Sequence, residues 1–411
     1  MPNMILLNKL AKLAVTTGAN VQKGQEVVIR ATTETKQLAR EVAKESYLAG
    51  AKRVNVQWSD DFISHDSLAY TAVEVLEDIP KWRIDQARSY VDAGACVISI
   101  SSPMPGLNRD IDGTKVQRSG IAAQKALYFF REYLMGNRGQ WTIIAAPNPI
   151  WAKQVFPSLD EDQAVEALWN AIFKASRVSE DNDPIEEWKK HNEALSDHNR
   201  ILNDHAFKYL HFKNELGTDL TVQLVDDHVW AGGKETTTKG VVFNPNIPSE
   251  ENFTMPDKWG TQGKVVATKP LNYQGKLIED FWLIFKDGRV VDYDAGKEKG
   301  ALKNLLETDA GSSYIGEIAL ISHDSPISNM NILFLNTLFD ENASCHMALG
   351  RAYPMNIRNG IHTPIEELEK RGYNKSMVHA DFMFGSEDMT ITGIKADGSR
   401  VRVFENGNFI I

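Results

Sequence analysis

The 411 residues read as an α/β N-terminal domain with a mainly parallel open sheet over 1–183 and a β-rich α+β C-terminal domain over 184–411. Three observations predict this division. In the first part, short β-branched runs alternate with amphipathic helical runs. A polar stretch, "SEDNDP" at 179–184, breaks that rhythm. Beyond the long helix that follows, short apolar runs are separated by Gly and Asn turns, the pattern of antiparallel strands.

The elements follow in order. The start, "MPNMILLNKLAKLAV", has an apolar run broken by Asn8, Lys9 and Lys12 and no small-residue cleavage pattern, so it reads as an amphipathic helix and not as a secretory signal. "EVVIR" (26–30) is a β-branched strand, 34–50 carries Leu38, Val42 and Ala49 at helical spacing with Gly50 as a stop, and "RVNVQW" is a second strand: a βαβ unit. Further strands are predicted at 95–101 and 141–147, separated by a helical stretch at 116–136. Ser158 and Glu161 have capping-box spacing before a helix carrying Val165, Leu168 and Ile172. Asp183 and Pro184 suit the N-cap and first turn of the long helix over 185–207. In the second half, "KDGR" and "ADGS" are hairpin signals of the Asp-Gly kind.

Composition excludes some functions. With 55 acidic against 45 basic residues and a formal net charge of -10, the chain has no basic stripe, which argues against nucleic acid as the main partner. The two cysteines, Cys96 and Cys345, form no CxxC and no disulfide framework, which points to a reducing cytoplasm. No run approaches the ~20 apolar residues needed to span a bilayer, so no membrane partner is expected.

Common catalytic signatures are missing: there is no GxGxxG after a strand, no GxxxxGK[ST], no GxSxG elbow and no HExxH helix. What stands out is a set of polar residues in the second half. "NIPSEENFTMP" carries Glu250 and Glu251, "SYIGEIAL" sets Glu317 in an apolar strand, "ASCHMALGRAY" holds His346 and Tyr353, and "MVHADFMFG" holds His379 and Asp381. Taken singly, each has an ordinary explanation. Glu250 and Glu251 suit a solvated loop, His346 a hydrogen-bonded core position, Tyr353 core packing, and His379 with Asp381 a hydrogen bond. Glu317 resists this, because an ionised carboxylate in an apolar strand costs several kcal/mol unless it is paired, by Arg or Lys or by a metal. On a strand, His379 and Asp381 share a face while Val378, Ala380 and Phe382 take the other. Together the residues match what two divalent ions ~3.5–4 Å apart require, several carboxylates and imidazoles around an activated water.

The same four motifs, in the same order and spacing, resemble those of the aminopeptidase T, aminopeptidase S and PepS family of dinuclear metallopeptidases. The α/β first half is also similar to the family's N-terminal domain, so the resemblance covers nearly the whole chain. It implies two ions, described as zinc or cobalt with manganese equally suited to such donors, held by Glu251, Glu317, His346, Tyr353, His379 and Asp381. Between the adjacent pair the assignment of ligand stays open to Glu250 or Glu251; the spacing to Glu317 favours Glu251 and leaves Glu250 as candidate general base, with Tyr353 as a ligand or a stabiliser of the tetrahedral oxyanion. The resemblance further implies a homodimer that hydrolyses the N-terminal peptide bond of short peptides through a metal-activated water. "DHVWAGG" (227–233) is similar to a family segment as well, but His228 and Trp230 take no chemical role and suit packing at a turn. Two other readings stay open: a metal-dependent hydrolase of a non-peptide amide, and a binding module whose α/β half holds a small ligand.

Overall fold

The computed structural model describes residues 2–274 and 276–411. The chain forms two compact units, Met1–Lys190 with Lys234–Pro248, and His191–Gly233 with Ser249–Ile411. Among the described residues no helix is long and apolar enough to cross a membrane.

In the first unit, β1 (Glu26–Thr32), β2 (Arg53–Ser59), β3 (Cys96–Ser101) and β4 (Trp141–Ala145) form a wholly parallel sheet of order β2-β1-β3-β4. Central β1 buries Val27, Val28 and Ile29 in succession, as expected of a strand covered on both faces. The crossover helix Lys36–Leu48 buries Leu38, Ala39 and Val42, the apolar stripe read from the sequence. Two local expectations are corrected. The stretch 116–136 is two helices, Gly113–Ala126 and Tyr128–Met135, because Leu127 leaves helical geometry (φ -106°, ψ 16°). The helix Glu161–Ala175 is capped by Asp160, not by Ser158: a carboxylate directly before the first turn accepts from Gln163 N at 2.9 Å and also favours the helix dipole.

The second unit is built on two antiparallel sheets. The larger has nine strands, in spatial order Leu271–Tyr273, Lys276–Lys286, Pro256–Val266, Asp219–Leu224, Tyr209–Lys213, Thr390–Ile394, Arg400–Glu405 and Asn408–Phe409, with Arg289–Lys297 also pairing with Lys276–Lys286. Its Asp-Gly turns are as predicted: Asp287 (φ 50°) and Gly288 (φ 77°) make the two-residue loop between Lys286 and Arg289. The smaller sheet has four strands, in spatial order His379–Met383 (β8), His346–Gly350 (β7), Ile315–Leu320 (β6) and Asn252–Thr254 (β5).

Register decides what each face of the smaller sheet carries. His346 pairs with Met383 and Ala319, Ala348 with Asp381 and Glu317, and Gly350 with His379. Directly paired residues share a face and neighbours along a strand alternate. One face therefore presents Glu317, His346, His379 and Asp381, with only Ala319, Ala348 and Gly350 between them. The other face presents Ile318, Leu320, Met347, Leu349, Ala380 and Phe382, all in the core shared with Phe212, Leu283 and Ile391 of the larger sheet. Phe382 and Phe281 pack with ring centroids 5.3 Å apart. Truncating this anchor, Phe382→Ala, should lower stability in chemical denaturation by about 3–5 kcal/mol, the usual cost of emptying a buried aromatic site. Met377→Ala, at a side chain 61% exposed, should stay within about 0.5 kcal/mol of the parent.

Candidate metal centre

Five of the six residues expected as metal ligands converge. Glu251, Glu317 and His346 have donor atoms within 4.8 Å of one another, and so do Glu317, His379 and Asp381. Glu317 belongs to both groups: its Oε1 lies 3.5 Å from His346 Nε2, and its Oε2 lies 3.6 Å from His379 Nε2. Glu251 Oε2 is 3.3 Å from His346 Nε2, and Asp381 Oδ1 is 3.4 Å from His379 Nε2. The sixth, Tyr353, follows β7 and stacks obliquely on His379 at 4.7 Å between ring centroids.

Supporting contacts aim these side chains. His379 Nδ1 lies 2.7 Å from the carbonyl oxygen of Arg351; with Nδ1–H donating there, Nε2 is left as an acceptor facing the carboxylates, the usual way an imidazole is prepared for a metal. Glu251 lies just before β5, which is held by mutual backbone bonds between Phe253 and Ala231 (2.8 and 3.0 Å) and by Asn252 Nδ2 donating to Leu195 O and Asn199 Oδ1. Close behind it, Gly232 has φ 140°, and a Cβ there would stand 2.0 Å from the Glu251 carbonyl oxygen. At the other end of the sheet, Gly350 (φ 101°) admits the carbonyl of Val378, 2.3 Å from where a Cβ would be.

The electrostatics are those of a concentrated negative site. Burial pushes the Glu317 carboxyl up, opposed by His346. Burial would depress His379, but Asp381 and Glu317 outweigh it and hold the imidazole up at about 9. His346 is likewise held well above its ordinary value, against burial, by Glu251 and Glu317. Asp381 resists the upward pull of burial and sits low because His379 and His346 face it. Tyr353 is raised, first by burial and then by Glu317 and Asp381. Asp381 Oδ1 is buried without a hydrogen bond of good geometry, an atom of the kind that a cation or its water satisfies. The donor set, carboxylate oxygens and imidazole nitrogens, fits divalent zinc, cobalt or manganese.

The adjacent carboxylates diverge. Glu250 belongs to neither donor group; its Oε2 lies 3.8 Å from His191 Nε2, and its backbone N–H donates to Asn342 Oδ1 at 2.7 Å. A further acidic residue, unremarked in the sequence, joins the site. Burial, then Asp381 and Glu251, push the Glu341 carboxyl well above its usual range, and His346 and Glu317 also act on it. Nothing in "LFDENASCH" marks Glu341; its only signal is lying five residues before His346, at the start of the short 3-10 turn Glu341–Ala343. His228 and Trp230 are packing residues: His228 Nδ1 meets Val225 O at 3.1 Å, and Trp230 is in the core.

Known proteins match this chain over nearly its whole length. The family described as thermophilic metalloprotease (M29) matches residues 4–409. Aminopeptidase AmpS of Bacillus subtilis is 46% identical over 98% of both chains, and aminopeptidase 2 of Geobacillus stearothermophilus is 44% identical over 98% of this chain and 97% of its own. The solved structure of AmpT from Thermus thermophilus superposes with a TM-score of 0.92, at 37% identity and 99% coverage of both chains.

The close approach behind Glu251 is testable. Gly232→Ala should destabilise the protein by about 1–3 kcal/mol in thermal unfolding, the cost of a side chain in strained backbone, and should weaken divalent-metal binding. Gly240→Ala, also at positive φ but with nothing within 4 Å, should cost less and leave metal binding unchanged.

Proposed function

Since the chain belongs to the thermophilic metalloprotease (M29) family and is a peptidase hydrolase, we propose that it removes N-terminal residues from short peptides. In this reading Glu251, Glu317, His346, His379 and Asp381 hold two divalent cations, with Tyr353 completing or flanking the set. The observation that carries it is Glu317, whose two oxygens face different imidazoles as a carboxylate bridging two ions would. The chemistry such ions supply is Lewis acidity, activating water near neutral pH and polarising a carbonyl.

The remaining roles fall to the chain's own groups. Glu250 is our candidate to take the proton of the attacking water and deliver it to the leaving amine. A second reading gives that role to Glu341, favoured by its electrostatic coupling to Asp381, Glu251 and His346; a carboxyl with a raised pKa is suited to carrying a proton near neutrality. The Tyr353 hydroxyl stabilises the oxyanion if it is not a ligand. A cytoplasmic homodimer loaded with zinc, cobalt or manganese completes the proposal: unpaired buried thiols at Cys96 and Cys345 suit a reducing compartment, and the dimer rests on the family resemblance. Hydrolysis of a non-peptide amide would use the same residues, and a substrate panel separates it.

Free-amine dipeptides and aminoacyl amides should be cleaved and their N-acetylated forms left intact; comparable rates on blocked peptides would overturn the exopeptidase assignment. Glu250→Gln should keep its metal and lose roughly 10²–10⁴ in rate, the range for a general base, whereas Glu251→Gln should lose metal. If Glu250→Gln retains full activity and Glu341→Gln shows that loss with metal retained, the proton carrier is Glu341. Asp381→Asn should lower metal content and abolish activity with little change in far-UV circular dichroism. A fully metallated, fully active Asp381→Asn protein would remove Asp381 from the site.

A further inference from the structure

One peptide group beside the metal-ligand candidates is gripped from both sides. The carbonyl oxygen of Ser249 lies 2.7 Å from His191 Nε2, and the N–H of Glu250 donates to Asn342 Oδ1 at 2.7 Å. These are the two polar atoms of a single planar unit, the Ser249–Glu250 peptide. The side chains that meet them come from distant parts of the chain. His191 belongs to the long helix Pro184–His205, and Asn342, fully buried, sits in the turn Glu341–Ala343. Because a carbonyl oxygen only accepts, His191 donates from Nε2. The same nitrogen lies 3.8 Å from the Glu250 carboxylate.

Asn342 is itself held. Its Nδ2 donates to Leu338 O at 3.1 Å, within the helix Thr337–Asp340. That helix is capped by Asn336, which accepts from Leu338 N, and the Asp340 carboxylate accepts from the N–H groups of Phe334 and Asn336 at 2.7 and 3.0 Å. An amide with both ends committed cannot turn over without losing a bond at each. A planar peptide passes its orientation to both neighbours: turning it changes ψ of Ser249 and φ of Glu250 together, and with them the directions of the Glu250 and Glu251 side chains. A buried peptide needs its polar atoms met, but a backbone partner would meet them as well. Here two side chains do so, and one of them adjoins Glu341.

We propose that His191 and Asn342 are positioning residues which, by fixing the Ser249–Glu250 peptide, give the two adjacent carboxylates their different tasks. Glu251 is turned toward His346 as a metal ligand, and Glu250 is turned toward His191, out of the ligand set, as proton carrier. The inference rests on the aminopeptidase reading above. Both residues act through the backbone they hold, so their loss should reach metal affinity and turnover at once.

The test compares His191→Phe and Asn342→Leu, which keep size and lose the bond, with His191→Gln, which keeps a donor. Asn148→Ala serves as control, removing a buried amide in the first unit that donates to Ser102 O and Pro103 O. Cobalt affinity is read by chelator competition, and kcat and KM at saturating cobalt on a free-amine dipeptide that the parent cleaves. His191→Phe and Asn342→Leu should each bind cobalt about tenfold more weakly and lose about 10–100-fold in kcat, with KM within about threefold; these are the ranges for losing an outlying support of a metal ligand and for misplacing a group by about 1 Å. His191→Gln should recover most of both losses. Asn148→Ala should lower the melting temperature and move neither. If Asn342→Leu does not fold, the two His191 variants decide. Folded variants with the parent's cobalt affinity and kcat, or a His191→Gln protein as impaired as His191→Phe, would overturn the proposal. Failure of the aminopeptidase reading would look different, as cleavage of N-acetylated peptides or no cleavage of any free dipeptide by the parent.

Discussion

Glu317 is buried in an apolar strand with an imidazole at each of its two oxygens, and most of the surrounding architecture follows from that requirement. A buried carboxylate needs positive charge close by, and here it shares that charge with Glu251, Asp381 and Glu341. The nearest groups able to supply it are the imidazoles of His346 and His379, both pushed upward, against burial, by the carboxylates around them. The same arrangement answers the composition of the "VHADF" stretch: an imidazole and a carboxylate one residue apart both reach the shared group because a strand returns to the same face every second residue.

The four-stranded sheet separates two incompatible environments by pleat alone. On one side Ile318, Met347, Leu349 and Phe382 are fully buried in the core, and this burial fixes the strands against the cost of gathering like charges on the other. On the charged side the intervening positions are Ala319, Ala348 and Gly350. Larger side chains there would fill the space the ligand atoms need. The glycines act at the backbone level too: Gly232 and Gly350 allow neighbouring carbonyls to approach where any Cβ would collide, which brings the Glu251 segment and β8 to their working distances.

The loop 333–341 shows how a polar side chain can position an apolar one. Asp340 is buried and pushed up to about 7 by that burial, with its amide donors pulling the other way. Its two oxygens are spent on the amides of Phe334 and Asn336. The consequence is that Leu335, between those amides, is held in left-handed backbone (φ 57°), with Glu341 one residue beyond the clamp.

Much of this was legible from the residues alone, and the limits have a common cause. Local chemistry is written in local sequence: β-branched runs gave β1 to β4, Leu38 and Val42 gave the crossover stripe, Asp287-Gly288 gave its turn, and the period of two in "VHADF" put His379 and Asp381 on one face. Glu317 could be singled out because an isolated carboxylate in an apolar run is anomalous wherever the strand lies. What tertiary structure decided was everything that depends on which strand lies beside which. The register that brings Glu251, Glu317, His346, His379 and Asp381 together joins segments up to 130 residues apart in sequence (251 to 381), and no local pattern encodes such a pairing. Glu250 and Glu251 are equivalent in sequence and differ only because consecutive side chains in an extended segment diverge, one toward His191 and one toward His346. Glu341 was invisible for the same reason: a carboxylate in a short helical turn, too brief to show periodicity, looks solvated until the fold sets it among other charges.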